Sequence, residues 1–205
     1  MAPILGRRQW HQARNVTGIE NPLGQRATLT WNLDQITSIV DPFGYTTTFT
    51  YEQTPLRTRQ LKSIQTPLQG FYTYSYDSSA RLQASIDPSG NRSTLAWDGN
   101  NQRSAMETAA GNRTSYTYNS HGQVEAIEDA EGNRTTNVYD ASTGDLTAIV
   151  NPLGQRTSYS YDPYGQIKSV ENPLGERSTF TRDLMNRITA LENPLGERTS
   201  LTYDS

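Results

Sequence analysis

One short string returns along the whole chain and fixes what it can fold into. Asn-Pro-Leu-Gly-x-Arg occurs at Asn21–Arg26, Asn151–Arg156, Asn172–Arg177 and Asn193–Arg198, with Asp-Pro-Phe-Gly at Asp41–Gly44 and Asp-Pro-Ser-Gly-x-Arg at Asp87–Arg92. Weaker copies centre on Gly70, Gly111 and Gly132, so the turn glycines are Gly24, Gly44, Gly70, Gly90, Gly111, Gly132, Gly154, Gly175 and Gly196. From Gly24 to Gly196 there are 172 residues in eight intervals, a mean of 21.5. Pro3–Arg8 reads as a worn tenth copy. A period in this range marks a repeat architecture in which each unit buries its apolar surface against its neighbours. The expectation is a single array over residues 1–205, nine to ten units long, with no linker.

Each unit reads turn, strand, turn, strand. The seventh residue past the glycine is aromatic and the eighth acidic or amide, as in Trp31-Asn32, Tyr51-Glu52, Trp97-Asp98, Tyr118-Asn119, Tyr139-Asp140, Tyr161-Asp162 and Tyr203-Asp204, while Tyr76-Asp77 fits only with a one-residue slip. Asn151-Pro152-Leu153-Gly154 and Asp162-Pro163-Tyr164-Gly165 both carry the residue preferences of type I turns. Between them Arg156-Thr157-Ser158-Tyr159-Ser160-Tyr161 alternates, with Thr157, Tyr159 and Tyr161 on one face. Pro or Gly about every ten residues leaves no room for helices. In the return strand Ile167 and Val170 lie three apart and cannot share one face of a regular strand, so a bulge or burial on both faces is required. The fold class expected is all-β: antiparallel hairpins pairing side by side into a long curved or spiralling sheet, with a ladder formed by Trp31, Tyr51, Tyr76, Trp97, Tyr118, Tyr139, Tyr161 and Tyr203.

Composition agrees with a thin structure. Leu, Ile, Val and Phe together number 36 of 205 residues, and the twelve Tyr and three Trp supply apolar area that this count misses. A net charge of −3 argues against nucleic-acid binding, no apolar run is long enough for a membrane span, and the first 20 residues hold no run suited to a signal peptide. There are no cysteines for thiolate chemistry. No cofactor or metal is expected.

A Tyr-Asp pair followed by Gly and then Pro-x-Gly-x-Arg at this period, as in Tyr161, Asp162, Gly165, Pro173, Gly175 and Arg177, resembles the RHS/YD-repeat family. That family includes bacterial polymorphic toxins, toxin-complex subunits and teneurins. The resemblance implies a β-strip that spirals into a hollow shell, which in bacterial members encloses a toxin, often released by aspartyl self-cleavage after a segment that closes the repeats. No such segment or toxin-like tail is visible, and the sequence stops within a repeat at Tyr203-Asp204-Ser205, as an internal stretch of a longer shell would. The implied partners are flanking repeats and an enclosed cargo, in a secreted or cell-surface protein.

Other constellations have competing explanations. Glu20/Arg26, Glu128/Arg134, Glu171/Arg177 and Glu192/Arg198 recur around the turn, as ion pairs across the hairpin or, for Arg156, Arg177, Arg182 and Arg198, as a ligand-facing stripe; the recurring acid favours pairing. The ladder aromatics either pack the strip or stack against sugar rings, which makes a glycan-binding or adhesion module the alternative function. His11 and His121 are the only histidines, and His121 sits at a turn position filled by Tyr164 and Met185 in other copies, so it reads as solvent-facing rather than catalytic. Glu125, Glu128, Asp129 and Glu131 lack calcium-loop spacing. The sequons at Asn15, Asn91, Asn112 and Asn133 are better explained as turn residues, three of them sharing one repeat phase. Exposed end strands predict self-association through sheet edges. One unit breaks the ladder, with Thr181-Arg182-Asp183 in place of Thr-Tyr-Asp.

Overall fold

The computed structural model describes residues 15–53 and 59–204, and His11 and Pro3–Arg8 lie outside them. Among the described residues there are 18 strands and no helix. They fall into two compact units, residues 15–94 and 95–204.

The first unit contains β1 (Gly18–Glu20), β2 (Arg26–Asn32), β3 (Gln35–Val40), β4 (Thr46–Gln53), β5 (Arg59–Gln65), β6 (Phe71–Tyr76), β7 (Leu82–Ile86) and the start of β8 (Arg92–Trp97). The second continues with β9 (Arg103–Glu107), β10 (Arg113–Tyr118), β11 (Val124–Glu128), β12 (Arg134–Tyr139), β13 (Leu146–Val150), β14 (Arg156–Tyr161), β15 (Ile167–Glu171), β16 (Arg177–Arg182), β17 (Ile188–Glu192) and β18 (Arg198–Ser200). Within each unit every strand pairs antiparallel with the next in sequence, so the topology is a run of hairpins with local contacts only.

The turns are built from side chain to backbone. Asn151 Oδ1 accepts from the amides of Leu153 and Gln155, and Asp162 Oδ1 accepts from those of Tyr164 and Gln166, so both turn families use one Asx geometry. The Gly154 amide then donates to the Asn151 carbonyl at 2.9 Å with Gly154 at φ +77°, a type I turn followed by a left-handed residue. The fifth residue completes the turn according to the first. An amide there donates to an acceptor, as Asn172 does to Glu176 and Asn151 to Gln155; a carboxylate accepts from a donor, as Asp77 does from Arg81 and Asp129 from Asn133.

One expectation is corrected here, and one feature is added to it. The third turn does not centre on Gly70: its left-handed position is Gln69, at φ +64°, whose amide closes on the Thr66 carbonyl at 3.0 Å. Counted from Gln69, Tyr76 is the seventh residue like every other ladder aromatic, and the slip disappears. The aromatic layer is also not where burial is deepest. Among the described residues the buried positions are Ala84, Ala105, Ala126, Ala148, Ser169 and Ala190, one small residue three positions before a turn Asn, Asp or Thr. Ala148 lies opposite Val138 on one side and Ser158 on the other, and the Ser169 hydroxyl meets that of Ser160 at 2.6 Å.

The conflict between Ile167 and Val170 is resolved by a bulge. Tyr159 pairs with Val170 and Ser160 with Ser169, but Tyr161 pairs with Ile167, leaving Lys168 as the extra residue. Both aliphatics thereby oppose residues of the aromatic face. The same shift recurs in the other hairpins, with Thr37, Lys62, Gln83, Glu125, Thr147 and Thr189 as the extra residue. The hydroxyls of Thr37, Thr147 and Thr189 donate to the carbonyls of Thr30, Val138 and Thr181 across their bulges.

Candidate functional site

The recurring site is the bulge and the aromatic that covers it. Beyond the last register pair of β13 with β14, Ala148 with Ser158, Leu146 has no partner on β14. The Tyr161 phenol fills that gap by donating to the Leu146 carbonyl at 2.7 Å. Leu146 is itself the bulge partner of Tyr139, so Tyr161 closes the bulge of the repeat before it. In the same way Tyr51 bonds Ile36, Tyr76 bonds Leu61, Tyr118 bonds Arg103, Tyr139 bonds Val124 and Tyr203 bonds Ile188, all across 15 residues at 2.7–2.9 Å. Trp31 does it through its indole N–H to Val16. At the ladder break, an Nη of Arg182 donates to the Ile167 carbonyl, again 15 residues back. Burial, with a lesser push from Asp145 and Tyr159, raises the Tyr161 phenol above its usual range, so it stays a proton donor.

A second set of bonds runs to the turn of the following repeat. Gln60, Gln102 and Gln123 donate side-chain N–H to the carbonyls of Ala80, Gly122 and Gly144. The Arg103 guanidinium lies 4.7 Å from the Tyr116 ring, and that of Arg187 lies 4.6 Å from the Tyr203 ring.

The structure places the other sequence candidates as follows. Gly24, Gly44, Gly90, Gly111, Gly132, Gly154, Gly175 and Gly196 all have φ between +76° and +86°. Arg156, Arg177 and Arg198 begin β14, β16 and β18. Glu20, Glu128, Glu171 and Glu192 stand directly opposite Arg26, Arg134, Arg177 and Arg198, and Glu107 opposite Arg113 is a fifth copy that the sequence also carries. None of these five closes to an ion pair among the described residues: the register is as expected, but the exposed side chains do not meet. Ion pairs do form between Arg81 and Asp77 and between Arg187 and Asp183, inside turns, and between Lys62 and Glu52. The sequon residues Asn91 and Asn133 donate to Asp87 and Asp129 within their turns, and His121 is exposed at a turn tip. No group of three or more His, Asp or Glu side chains converges as a metal site among the described residues.

The geometry transmits one arrangement from unit to unit, and similarity to known proteins agrees. The chain shares its fold with crystal structures of TcdB2–TccC3. It is 17% identical to the complex with Cdc42, with a TM-score of 0.51 over 86% of this chain and 13% of that one. TcdB2–TccC3 itself gives 17% identity and a TM-score of 0.51, over 87% of this chain and 14% of that one. This chain therefore spans about one seventh of the chains it matches. No curated protein matches it. The family model for the RHS Repeat matches residues 97–135, 139–177 and 161–198, where the ladder, bulge and Asx turns recur in phase. Residues 97–135 and 139–198 therefore belong to the RHS repeat family.

Proposed function

We propose that the chain is a non-catalytic wall segment of a β-sheet shell that encloses a polypeptide cargo, within a secreted or surface-exposed protein. The observation that carries this is the ladder itself: each phenol is spent on the carbonyl of the preceding unit, so the conserved-phase side chains serve continuity of the sheet. A propagating strip of this kind suits a wall, and the fold shared with TcdB2–TccC3 supports the same use. Glycan stacking on the ladder is less well supported, because the rings that would meet sugar are half-buried and their hydroxyls already bonded.

The test is electron microscopy of the full-length gene product that contains this chain, paired with limited proteolysis. A closed hollow particle with a protease-resistant polypeptide inside is expected. An open strip whose flanking polypeptide is digested as fast as a free chain overturns the proposal.

A further inference from the structure

The bulge recurs, but the groove beside it does not stay the same. At Thr37, Phe49 and Tyr51 it has a volume of about 320 Å³, and at Glu125, Asn137 and Tyr139 about 300 Å³. At the ladder break the corresponding positions are Lys168, Phe180 and Arg182, and the groove widens to about 1120 Å³. Lys168 stands where the other two grooves have Thr37 and Glu125, and Arg182 where they have Tyr51 and Tyr139. The apolar walls are exposed: Tyr164 at 80% and Leu184 at 100%, with Pro163 beside them. Ile167, the aliphatic under the ladder residue, is exposed here, whereas its counterparts Leu146, Val124 and Ile188 are half-buried.

We infer that this groove between the Asp162 and Asp183 turns binds an acidic peptide, with an apolar side chain against Tyr164, Phe180 and Leu184 and carboxylates toward Lys168 and Arg182. Charge complementarity selects the occupant. Arg182 uses an Nη on the Ile167 carbonyl and keeps further N–H donors, while Lys168 makes no hydrogen bond or ion pair among the described residues. Asp162 and Asp183 line the groove as well and keep their charge, but their carboxylates are turned to donors of their own turns. Asp183 accepts from the amides of Met185 and Arg187 and from the Arg187 side chain, and Asp162 accepts from two amides. Pro163 and Leu184 offer nothing to sugar hydroxyls, which favours a peptide over a glycan. The inference stands apart from what the strip encloses, since it rests on this groove alone.

The probe is the hexapeptide carboxyfluorescein-Glu-Leu-Glu-Phe-Glu-Leu-amide, labelled at its N-terminus and titrated by anisotropy against the 205-residue chain. Saturable binding is expected, weakened about tenfold or more in the double variant Lys168→Thr/Arg182→Tyr, which restores the ladder residue and so keeps the fold, as a thermal melt of that variant checks. Lys62→Thr, at the same phase in the first unit, leaves binding unchanged. Replacing the peptide's Glu by Gln abolishes it. The inference is overturned by no saturation up to about 1 mM, by equal binding of the Gln peptide or of the double variant, or by a sulfated oligosaccharide that binds through Lys168 and Arg182 where the peptide does not.

Discussion

The Arg182 guanidinium donates to the carbonyl of Ile167 just as the Tyr161 phenol donates to that of Leu146, so the unit whose ladder position is not aromatic still makes the ladder bond. The ladder is therefore a hydrogen-bond device first and an aromatic stack second. Tyr161→Phe keeps the ring and removes the donor, leaving a half-buried carbonyl unpaired, and should cost about 1 kcal/mol. Arg182→Tyr keeps a donor and adds ring area, and should gain about 0.5 kcal/mol. Urea denaturation of the three proteins measures both. A Tyr161→Phe variant as stable as the parent would mean that packing alone holds the units together.

Gln69 occupies the left-handed position that glycine fills in eight other turns. A side chain there costs about 1 kcal/mol, and glycine's greater freedom in the unfolded chain offsets about half of that. Gln69→Gly should accordingly stabilise the first unit by about 0.5 kcal/mol, read as a rise in the urea midpoint. A fall would show that the Gln69 side chain, which accepts from Gln65, contributes more than the strain costs.

Most of the fold was legible because its instructions are local. Asn-Pro-Leu-Gly and Asp-Pro-Tyr-Gly specify their own turns, and the clash between the spacing of Ile167 and Val170 and a regular strand pointed to a bulge or to burial on both faces, of which the register selects the bulge. Gly70 misled because glycine was read as the marker of the left-handed residue, when in the Pro-x-Gly turns and in the Thr66 turn that residue is the third after the opening Asn, Asp or Thr, whatever occupies it. The acceptor of each ladder phenol was invisible for a different reason: it is a main-chain carbonyl, which every residue has, and only the register selects Leu146 for Tyr161. The column of Ala84, Ala105, Ala126, Ala148, Ser169 and Ala190 did carry a signal, a small residue at fixed phase, which a search for large apolar residues passes over. Opposed charges such as Glu171 and Arg177 were placed correctly by register, but position on exposed strands does not bring long side chains together.

The Asx turns set the response to acid. The Ser142 hydroxyl, followed by the amides of Thr143 and Ser142, holds the Asp140 carboxyl at about 2, and Asp77, Asp87, Asp129 and Asp183 are likewise lowered by the donors of their own turns. A carboxyl lowered in the folded state stabilises the fold above its ordinary value near 3.8 and loses that contribution as the pH falls toward its folded value. The urea midpoint should be flat from about pH 7 to 5 and decline between about pH 4 and 2. Asp140→Asn keeps the acceptor oxygen and removes the proton, so its profile should be shallower. A midpoint that instead rises on acidification would contradict the turn assignment.

Repeat continuity can be tested by removing one period. Deleting Gly154 to Leu174, 21 residues, takes out β14 and β15 and joins Leu153 to Gly175. The new turn Asn151-Pro152-Leu153-Gly175-Glu176 keeps an Asx residue at its first position and glycine at its fourth, and Glu176 supplies the acceptor for Asn151 that Gln155 supplied before. Arg182 then falls 15 residues after Leu146, the span that every ladder bond uses. Because stability in such arrays is approximately a sum over units and their interfaces, the shortened chain should fold with the same far-UV spectrum per residue and a modestly lower melting temperature. Deleting Gln155 to Leu174, 20 residues, instead leaves two glycines in the turn, stretches the ladder span to 16 and turns the following strand's faces over. That protein should lose its cooperative melt. If both deletions behave alike, whether folded or unfolded, the 15-residue bond is not what keeps successive units in phase.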